Sequence, residues 1–362
     1  MMIRIFLTII AIQTTVYAQS NNPARIYFSK NREIDHKVDS ILNQMTASQR
    51  VAQLIMPAIG RYGSPADTIE RLVKEQKIGG VLLLNGTKDE FSGWTSRFNT
   101  LNKNLHALPF LYSADAEPSL VNRKMKGSTP VKKAIEIQKL SEVTETTQTI
   151  SEDLNEVGVN YNFAPVVDVS KNGTVGYRGF GQNPENIIPF SKEFIRVTQE
   201  NNIIATAKHF PGHGLVSGDT HKALQVIDGE LKELKNYPPL IADSVLSIMI
   251  AHIAVENNPE FSTNGLPATT SRKIVTKLLR DSLGFEGLIV TDAMNMGGVV
   301  KVDHCYTKAI GAGCDILLMP VNAFKAHDEI LQEYLSDEKF AKEVNESVKR
   351  IIRMKISLGL LD

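Results

Sequence analysis

The stretch that decides the fold of this chain reads Ile203-Ile204-Ala205-Thr206-Ala207-Lys208-His209-Phe210-Pro211-Gly212-His213-Gly214. It opens as an uninterrupted apolar run, which predicts a buried strand, and its proline and glycines force a turn where that run ends. A second polar group, Asp219-Thr220-His221, follows shortly after. Three of the eight histidines of the chain therefore stand in one short segment. Because strand tips carry the catalytic groups of parallel barrels, we predict an active site here.

Other apolar runs of strand length alternate with amphipathic stretches of helical length. The predicted strands cover residues 51–59, 80–84, 110–114, 161–169, 203–207, 247–253, 288–292 and 315–319. The predicted helices include residues 35–45, 131–157, 185–201, 231–245, 271–283 and 343–358. Continuous apolar strands indicate a parallel sheet that helices cover on its faces. About eight strand–helix units over roughly 300 residues predict an α/β fold, a single-domain (β/α)8 TIM-type barrel.

An open doubly wound sheet is the alternative, and the positions of the polar residues argue against it. Such a sheet gathers its ligands at one switch point, whereas a barrel places them around a ring. Polar residues end nearly every predicted strand of this chain: Asp115 and Glu117, Asp168, Lys208 and His209, His252, and Asp292.

The composition is that of a globular chain. Its 362 residues are 42% hydrophobic and 22% charged, and its formal net charge is zero. Basic residues are scattered among acidic ones, so nucleic acid is excluded as a partner, since its binding needs a basic surplus or stripe. Nothing in the sequence indicates an oligomeric state.

The first residues read as a secretory signal peptide. Arg4 supplies a positive charge, an apolar run follows over residues 5–12, and Val16-Tyr17-Ala18 offers small residues where a signal peptidase cuts. The apolar run is too short to span a bilayer, so stable membrane insertion is not expected. We expect cleavage after Ala18, a catalytic domain over residues 19–362, and a periplasmic or secreted location.

Four residues are candidates for chemistry on their own merits. Asp292 ends an apolar run, where its carboxylate suits a nucleophile, a base or a metal ligand, although a helix cap is the simpler interpretation. Asp219 and His221 stand two apart in a turn-rich loop, so the carboxylate can orient the imidazole for proton transfer. Arg178, between glycines, offers fixed donors that suit sugar hydroxyls, or a surface salt bridge.

Together these residues resemble glycoside hydrolase family 3, in its β-N-acetylhexosaminidase branch. Lys208-His209-Phe210-Pro211-Gly212-His213-Gly214 is similar to a signature of that family, and Asp219-Thr220-His221 is similar to its Asp-Ser-His loop. Two more stretches resemble its signature strands: Asn162-Phe163-Ala164-Pro165-Val166-Val167-Asp168-Val169 and Thr291-Asp292-Ala293-Met294-Asn295-Met296. The resemblance runs over about residues 38–360.

The resemblance implies a retaining exo-glycosidase that removes terminal β-linked N-acetylglucosamine without a metal or other cofactor. It implies that Asp292 is the nucleophile and that His221, oriented by Asp219, is the general acid and base. The partner is then a small carbohydrate, such as an oligosaccharide or a peptidoglycan fragment. The positions that hold the sugar are, by the same resemblance, Asp115, Arg123, Arg178, Lys208 and His209.

The chain departs from the family pattern at two places. Where the family has Asp-Gln-Glu-Gly-Gly-Arg, this chain reads Asp115-Ala116-Glu117-Pro118-Ser119-Leu120, and Gly179 stands where the family usually has a serine after the loop arginine. Neither departure removes a reacting group, but they leave the preference for the aglycone and the turnover open.

Other functions stay open at this point. A β-glucosidase, a xylosidase or a phosphorylase of the same family is one alternative, although the first two usually take their acid/base from a further C-terminal domain. A metal-dependent hydrolase is another, but the first predicted strand ends without the His-x-His pair such enzymes carry. A sugar-binding protein that lost its chemistry is the non-enzymatic alternative.

Overall fold

Seven parallel strands form one curled sheet in the computed structural model, which describes residues 22–169 and 171–361. The predicted signal peptide, residues 1–18, lies outside the described residues. The strands are β1 (Ile55–Met56), β2 (Ala58–Ile59), β3 (Gly80–Leu83), β4 (Gly86–Thr87), β5 (Leu111–Ala114), β6 (Met125–Lys126), β7 (Tyr161–Asn162), β8 (Ile204–Phe210), β9 (Gln225–Asp228), β10 (Ser247–Ile250), β11 (Ile253–Glu256), β12 (Leu288–Thr291) and β13 (Leu317–Leu318).

The strands of the main sheet follow one another in chain order, β2-β3-β5-β7-β8-β10-β12. This order has no reversal, so the sheet lacks the switch point of a doubly wound fold. Short parallel pairs flank it: β1 with β13, β4 with β6, and β9 with β11. The carboxyl ends of all seven strands consequently lie along one rim.

Helices connect the strands and cover the sheet. They are α1 (Pro23–Tyr27), α2 (Arg32–Gln44), α3 (Ala47–Ala52), α4 (Ala66–Lys74), α5 (Lys88–Asn104), α6 (Val121–Lys124), α7 (Leu140–Glu156), α8 (Pro184–Glu200), α9 (Pro238–Ala242), α10 (Cys305–Ala312), α11 (Ala323–Ser336) and α12 (Glu338–Ser357), with a π-helical segment at Lys273–Ser282. None of these helices is long and apolar enough to cross a membrane.

The core lies on both faces of the sheet, and β8 shows why. Ile204 packs with the apolar residues inside the curl, whereas Ala205 and Ala207 pack with those beneath the helices. Successive side chains of a strand point to opposite faces, so Lys208 continues the inner row that Ile204 starts. The inner row therefore ends in a charge at the rim.

A bulge in β8 then places a second polar residue at the same tip. Met249 of β10 pairs with Lys208, but Ile250 pairs with Phe210, so His209 has no partner across the ladder. An extra residue of this kind redirects a side chain. Lys208 and His209 can therefore both serve the site.

Several elements differ from the predicted boundaries, and prolines and helix caps account for the differences. The predicted strand 51–59 starts too early, because a capping box between Thr46 and Gln49 makes residues 47–52 helical. The predicted strand 161–169 is a regular strand only at Tyr161–Asn162, with an isolated bridge further on between Val166 and Lys208, because Pro165 has no N–H to donate. The predicted helix 231–245 is α-helical only over Pro238–Ala242, where a proline takes the first helical position.

Candidate active site

Five charged side chains form one network at the rim, where β5 and β8 end. Lys208 is almost completely buried, and its Nζ lies 2.9 Å from Asp115 Oδ1 and 2.6 Å from Glu117 Oε1. Arg178 donates two parallel hydrogen bonds to Glu117, at 2.8 and 2.5 Å. Lys124 reaches the other oxygen of Asp115 at 2.5 Å. The network joins residues far apart in sequence into one rigid wall.

The charges of this network are mutually stabilised. Burial opposes the ionisation of Glu117, but Arg178 and Lys208 outweigh it and lower the pKa of that carboxyl to about 2. Burial likewise opposes the ionisation of Asp115, but Lys124 and Lys208 outweigh it, so the pKa of Asp115 also falls. These carboxylates are ionised at neutral pH, so they can accept hydrogen bonds from a ligand but hold no proton to donate.

Asp168 holds the turn that follows β8. Its carboxylate accepts a hydrogen bond from His209 Nδ1 at 2.6 Å and further bonds from the backbone N–H groups of His209 and His213, the latter at 2.8 Å. Burial raises the pKa of Asp168, but the neighbouring His209 outweighs burial and the net direction is down. An ionised Asp168 fixes the Nδ1–H tautomer of His209 and leaves its Nε2 free of this pair.

Asp292 stands directly after β12 and is half-buried. Its Oδ1 accepts a hydrogen bond from the backbone N–H of Ala293 at 2.8 Å. Burial opposes ionisation of this carboxyl, but His209 and His252 outweigh it, and the pKa of Asp292 lies below its usual value. An ionised carboxylate at a strand tip, surrounded by imidazoles, has the charge state that a nucleophile needs.

His252 supports Asp292 from behind and is a packed histidine. It is completely buried, its Nε2 donates to Ala293 O at 3.0 Å, and its Nδ1 accepts from Thr269 Oγ1 at 2.6 Å. Burial lowers the pKa of His252, so the ring is neutral and both contacts use the neutral form. The ring therefore helps to fix Ala293, the residue whose backbone N–H binds Asp292.

The structure brings Asp219 and His221 together as the sequence predicted. Asp219 Oδ1 accepts from His221 Nδ1 at 2.8 Å and from the His221 backbone N–H at 3.0 Å. Partial burial opposes ionisation of Asp219, but the hydrogen bond from His221 outweighs it and lowers the pKa of that carboxyl. The His221 side chain is 60% exposed, so the pair stands at the solvent-facing side of the site.

This loop is docked against the segment that follows Asp292. Gly297 donates its N–H to His221 O at 3.0 Å, and Gly298 donates to Thr220 O at 3.1 Å. Thr220 is also anchored from below, since its Oγ1 lies 2.9 Å from His213 Nε2. A Cβ added to Gly297 would stand 2.2 Å from the carbonyl oxygen of Lys222. The close approach of the two loops consequently requires a glycine here.

Arg123 is the predicted site residue that stays apart. It is exposed and lines a separate cavity with Arg61 and Lys126, whereas the following residue, Lys124, contacts Asp115. The sequence places Glu117 among the polar residues that end the predicted strands but assigns it no contact, and it gives no role to Lys124. Because Glu117 stands two positions after Asp115, extended backbone would point both side chains the same way.

Within residues 22–169 and 171–361, no group of three or more histidine, cysteine, aspartate and glutamate side chains is arranged to hold a metal ion. His209 bonds Asp168 through its ring, whereas His213 bonds Asp168 through its backbone N–H and its ring contacts Thr220.

The chain belongs to glycosyl hydrolase family 3, whose N-terminal domain model matches residues 46–354. It is 27% identical over 329 residues to beta-hexosaminidase A of Pseudoalteromonas piscicida, covering 80% of this chain and 55% of that protein. Among solved structures, a family 3 beta-N-acetylglucosaminidase from Paenibacillus sp. str. FPU-7 matches with a TM-score of 0.80 and 28% identity, over 87% of this chain and 63% of that one. The beta-glucoside phosphorylase BglX bound to 2FGlc matches with a TM-score of 0.82 and 25% identity, over 91% and 62%. The chain thus spans 55–63% of the length of these proteins.

Proposed function

We propose that this protein is a retaining exo-glycosidase that hydrolyses terminal β-linked N-acetylglucosamine. The observation that carries the proposal is the docking of the Asp219–His221 pair beside Asp292 through the backbone N–H groups of Gly297 and Gly298. This arrangement unites an ionised carboxylate at a strand tip with an oriented, solvent-accessible imidazole. Names of the similar proteins, beta-hexosaminidase A and beta-N-acetylglucosaminidase, support the choice of sugar.

We also infer that the curled sheet closes into a (β/α)8 barrel. The support comes from the two edges of the sheet: β13 pairs with β1, which directly precedes β2, and a parallel bridge joins Ile316 to Val290 of β12. Hydrogen bonds from Leu317 N to Leu54 O at 2.7 Å and from Thr291 N to Ile316 O at 3.0 Å continue the ladder on both sides. Closure would place all the strand tips around one cleft.

In the first step, an Asp292 oxygen attacks the anomeric carbon as the bond from that carbon to the leaving oxygen breaks. His221 gives its Nε2 proton to the leaving oxygen, and Asp219 stabilises the imidazolium that precedes this transfer. The products are a glycosyl ester on Asp292, the free aglycone alcohol and a neutral His221. The charged network of Lys208, Asp115 and Arg178 holds the sugar hydroxyls and the acetamido group in place.

In the second step, His221 takes a proton from a water molecule as the water oxygen attacks the same anomeric carbon. The ester bond to Asp292 breaks, its carboxylate is regenerated, and the sugar leaves with the anomeric configuration it had in the substrate. Two inversions give retention, and each uses the same pair of groups in opposite proton states.

Hydrolysis of 4-nitrophenyl β-N-acetylglucosaminide and 4-nitrophenyl β-glucoside by the purified protein tests this function. We expect turnover of the N-acetyl substrate and little of the glucoside. For Asp292→Ala we expect a loss of at least about 10⁴-fold in kcat, because no ester can form. Substantial residual turnover in Asp292→Ala would refute the nucleophile assignment.

His221→Ala separates the acid/base role from general damage. We expect a loss of about 10²–10⁴-fold on chitobiose, whose alcohol leaving group needs a proton, and a much smaller loss on 4-nitrophenyl substrates. Equal losses on both substrates would argue against a proton-transferring His221. Replacing Arg32, an exposed residue at the start of α2, by glutamine is a matched surface control.

Transfer of the sugar to phosphate is the second candidate, because the structure of a phosphorylase is also similar to this chain. An imidazole acid/base leaves room for an anionic acceptor, which a carboxylate in that position would repel. Formation of a sugar 1-phosphate when phosphate is added to the same assay would identify this reaction. We further propose a periplasmic or secreted location, with peptidoglycan fragments (as in peptidoglycan recycling), chitooligosaccharides or host glycans as candidate substrates, on the basis of the signal-like residues 1–18.

A further inference from the structure

A cavity of about 490 Å³ opens on the rim beside the active site, at the ends of β2 and β3. Three cationic residues line it: Arg61, Arg123 and Lys126. In the described part of the chain, no ion pair or hydrogen bond engages the charged end of any of the three. The mechanism proposed above uses none of them.

The one carboxylate in the lining, Glu90, offsets only one of these three charges. Glu90 Oε2 accepts a hydrogen bond from the backbone N–H of Thr87 at 2.7 Å, as part of the capping box that starts α5. Since the whole chain has a net charge of zero, three cations against one engaged carboxylate are a local surplus. A concave site with such a surplus attracts anions.

Backbone pairing and close packing fix the walls of the cavity. β4 and β6 pair there, with Gly86 opposite Met125 and Thr87 opposite Lys126, and this pairing fixes the segment that carries the cations. On the facing wall, Gly60 has a φ of +120°, and a Cβ there would stand 1.9 Å from Leu84 O. The half-buried Trp94, the only tryptophan of the chain, completes the lining with an amphipathic ring.

We propose that this cavity binds an anionic ester group, a sulfate or a phosphate, on the sugar that the enzyme removes. The class of ligand follows from chemistry, because guanidinium groups bind such oxyanions through paired hydrogen bonds. This inference rests on the proposed function, since it assigns the group to the substrate of that site.

The position of the cavity determines which end of the substrate it meets. Asp115 directly follows β5, which pairs with β3 beside the cavity, and the proposed function assigns Asp115 to the hydroxyls of the terminal sugar. Lys124, on the same short segment as Arg123, contacts Asp115 directly. The cavity therefore adjoins the residue that holds the terminal sugar, and His221, which protonates the leaving group in the proposed mechanism, is not among its lining residues.

The test compares 4-methylumbelliferyl β-N-acetylglucosaminide with its 6-sulfate and 6-phosphate, which share one leaving group. We expect kcat/KM for at least one ester to exceed that of the neutral substrate by roughly tenfold, and the ratio to fall as salt is added. In Arg61→Gln/Lys126→Gln the ratio should fall to about one, whereas Arg32→Gln should keep it. A ratio at or below one in the unmodified protein overturns the proposal.

A second comparison of substrates determines which of the two sugars carries the anionic group that the cavity binds. Chitobiose is compared with N-acetylglucosaminyl-β-1,4-N-acetylmuramic acid, whose leaving sugar carries a lactyl ether and therefore one carboxylate. A preference for this carboxylate without one for the esters, again lost in Arg61→Gln/Lys126→Gln, would overturn the assignment to the terminal sugar. Absence of turnover with the neutral substrate would count against the proposed function, and its presence with a ratio near one would count against the cavity alone.

Discussion

Replacing Glu117 by glutamine tests whether the buried charge network holds the sugar pocket together. Glu117 is 0% exposed, accepts two hydrogen bonds from Arg178 and lies 2.6 Å from the Nζ of Lys208. Glutamine keeps the shape of the side chain and removes its charge. The cluster of three cations and two carboxylates would then keep one carboxylate, so its net charge would rise from +1 to +2.

Two routes give the same magnitude for this change. The pKa of Glu117 falls from 4.5 to about 2, which at about 1.4 kcal/mol per pH unit corresponds to roughly 3–4 kcal/mol of stability. Removing one partner of a buried ion pair costs about 3–5 kcal/mol in general. With an unfolding entropy of about 2.1 cal/mol/K per residue over 362 residues, Tm should fall by roughly 4–7 °C.

The pH dependence of this stability loss distinguishes the removal of a charge from other changes to the fold. A lowered pKa contributes stability above the ordinary value of 4.5 and loses it as pH falls towards 2. The difference between the unmodified protein and Glu117→Gln should therefore be full at pH 7 and should shrink below about pH 4.5. Urea denaturation at several pH values measures it, together with kcat/KM at pH 7, which should fall because Arg178 and Lys208 lose their orientation.

The matched control is Glu200→Gln. Glu200 also lies 2.5 Å from an arginine, Arg196, but both side chains are about half exposed. An exposed pair of this kind is worth about 0.3–0.5 kcal/mol, so its loss should change Tm by less than about 1 °C. Equal, small shifts in Glu117→Gln and Glu200→Gln would refute the view that the buried network stabilises the pocket.

Two further predictions concern a glycine and a lysine. In Gly297→Ala, the added Cβ would lie 2.2 Å from Lys222 O and should displace the His221 loop. We therefore expect kcat on chitobiose to fall roughly 10–100-fold and kcat on 4-nitrophenyl substrates to fall much less. Gly93→Ala, whose Cβ meets nothing within 4 Å, is the control, and an equal loss on both substrates would refute a positioning role. Burial lowers the pKa of Lys355 to about 7, and its Nζ contacts only neutral acceptors. The unfolded chain alone keeps the proton between about pH 7 and 10.5, so the stability of the unmodified protein should rise with pH over that range. Lys355→Met should abolish this rise in urea denaturation; at pH 7 it should gain about 4–5 kcal/mol of stability from the removed desolvation, less about 1–3 kcal/mol for the lost hydrogen bonds. A stability profile unchanged by Lys355→Met would show that this amine is not held in its neutral form.

The elements that the sequence predicts best are those that local patterns determine. The apolar run at 203–207 is a strand, and it extends through Lys208 to Phe210 because the neighbouring β10 pairs with it there. The bulge at His209 depends on that pairing, so no local pattern could show it. Where proline interrupts a run, as at Pro165, the pattern predicts too much strand, because apolar character survives where a ladder donor is missing.

The contacts of the candidate site also divide into those that local spacing predicts and those that depend on the fold. Asp219 and His221 lie two residues apart, and their contact follows from that spacing. Lys208 and Asp115 are separated by 93 positions, so their contact depends on how the strands stand side by side in the sheet.

Arg123 and Lys124 show what a sequence motif does not resolve. They are adjacent in the single helical turn Val121–Lys124, so their side chains leave the helix about 100° apart. One lines the cavity of the cationic residues, whereas the other contacts Asp115. A resemblance that extends over the segment does not resolve a rotation of this size, and only the backbone geometry separates the two roles.

The exposure of the His221 ring has a consequence for how protons travel during turnover. With 60% of that side chain in contact with solvent, the imidazole can exchange its proton directly with bulk water between catalytic cycles. In the proposed mechanism, the second step returns a proton to His221 from the attacking water, so the hydrogen that leaves on each released aglycone is drawn from water. Exchange with solvent is a second route to the same protonated imidazole, and neither route requires a chain of buried side chains.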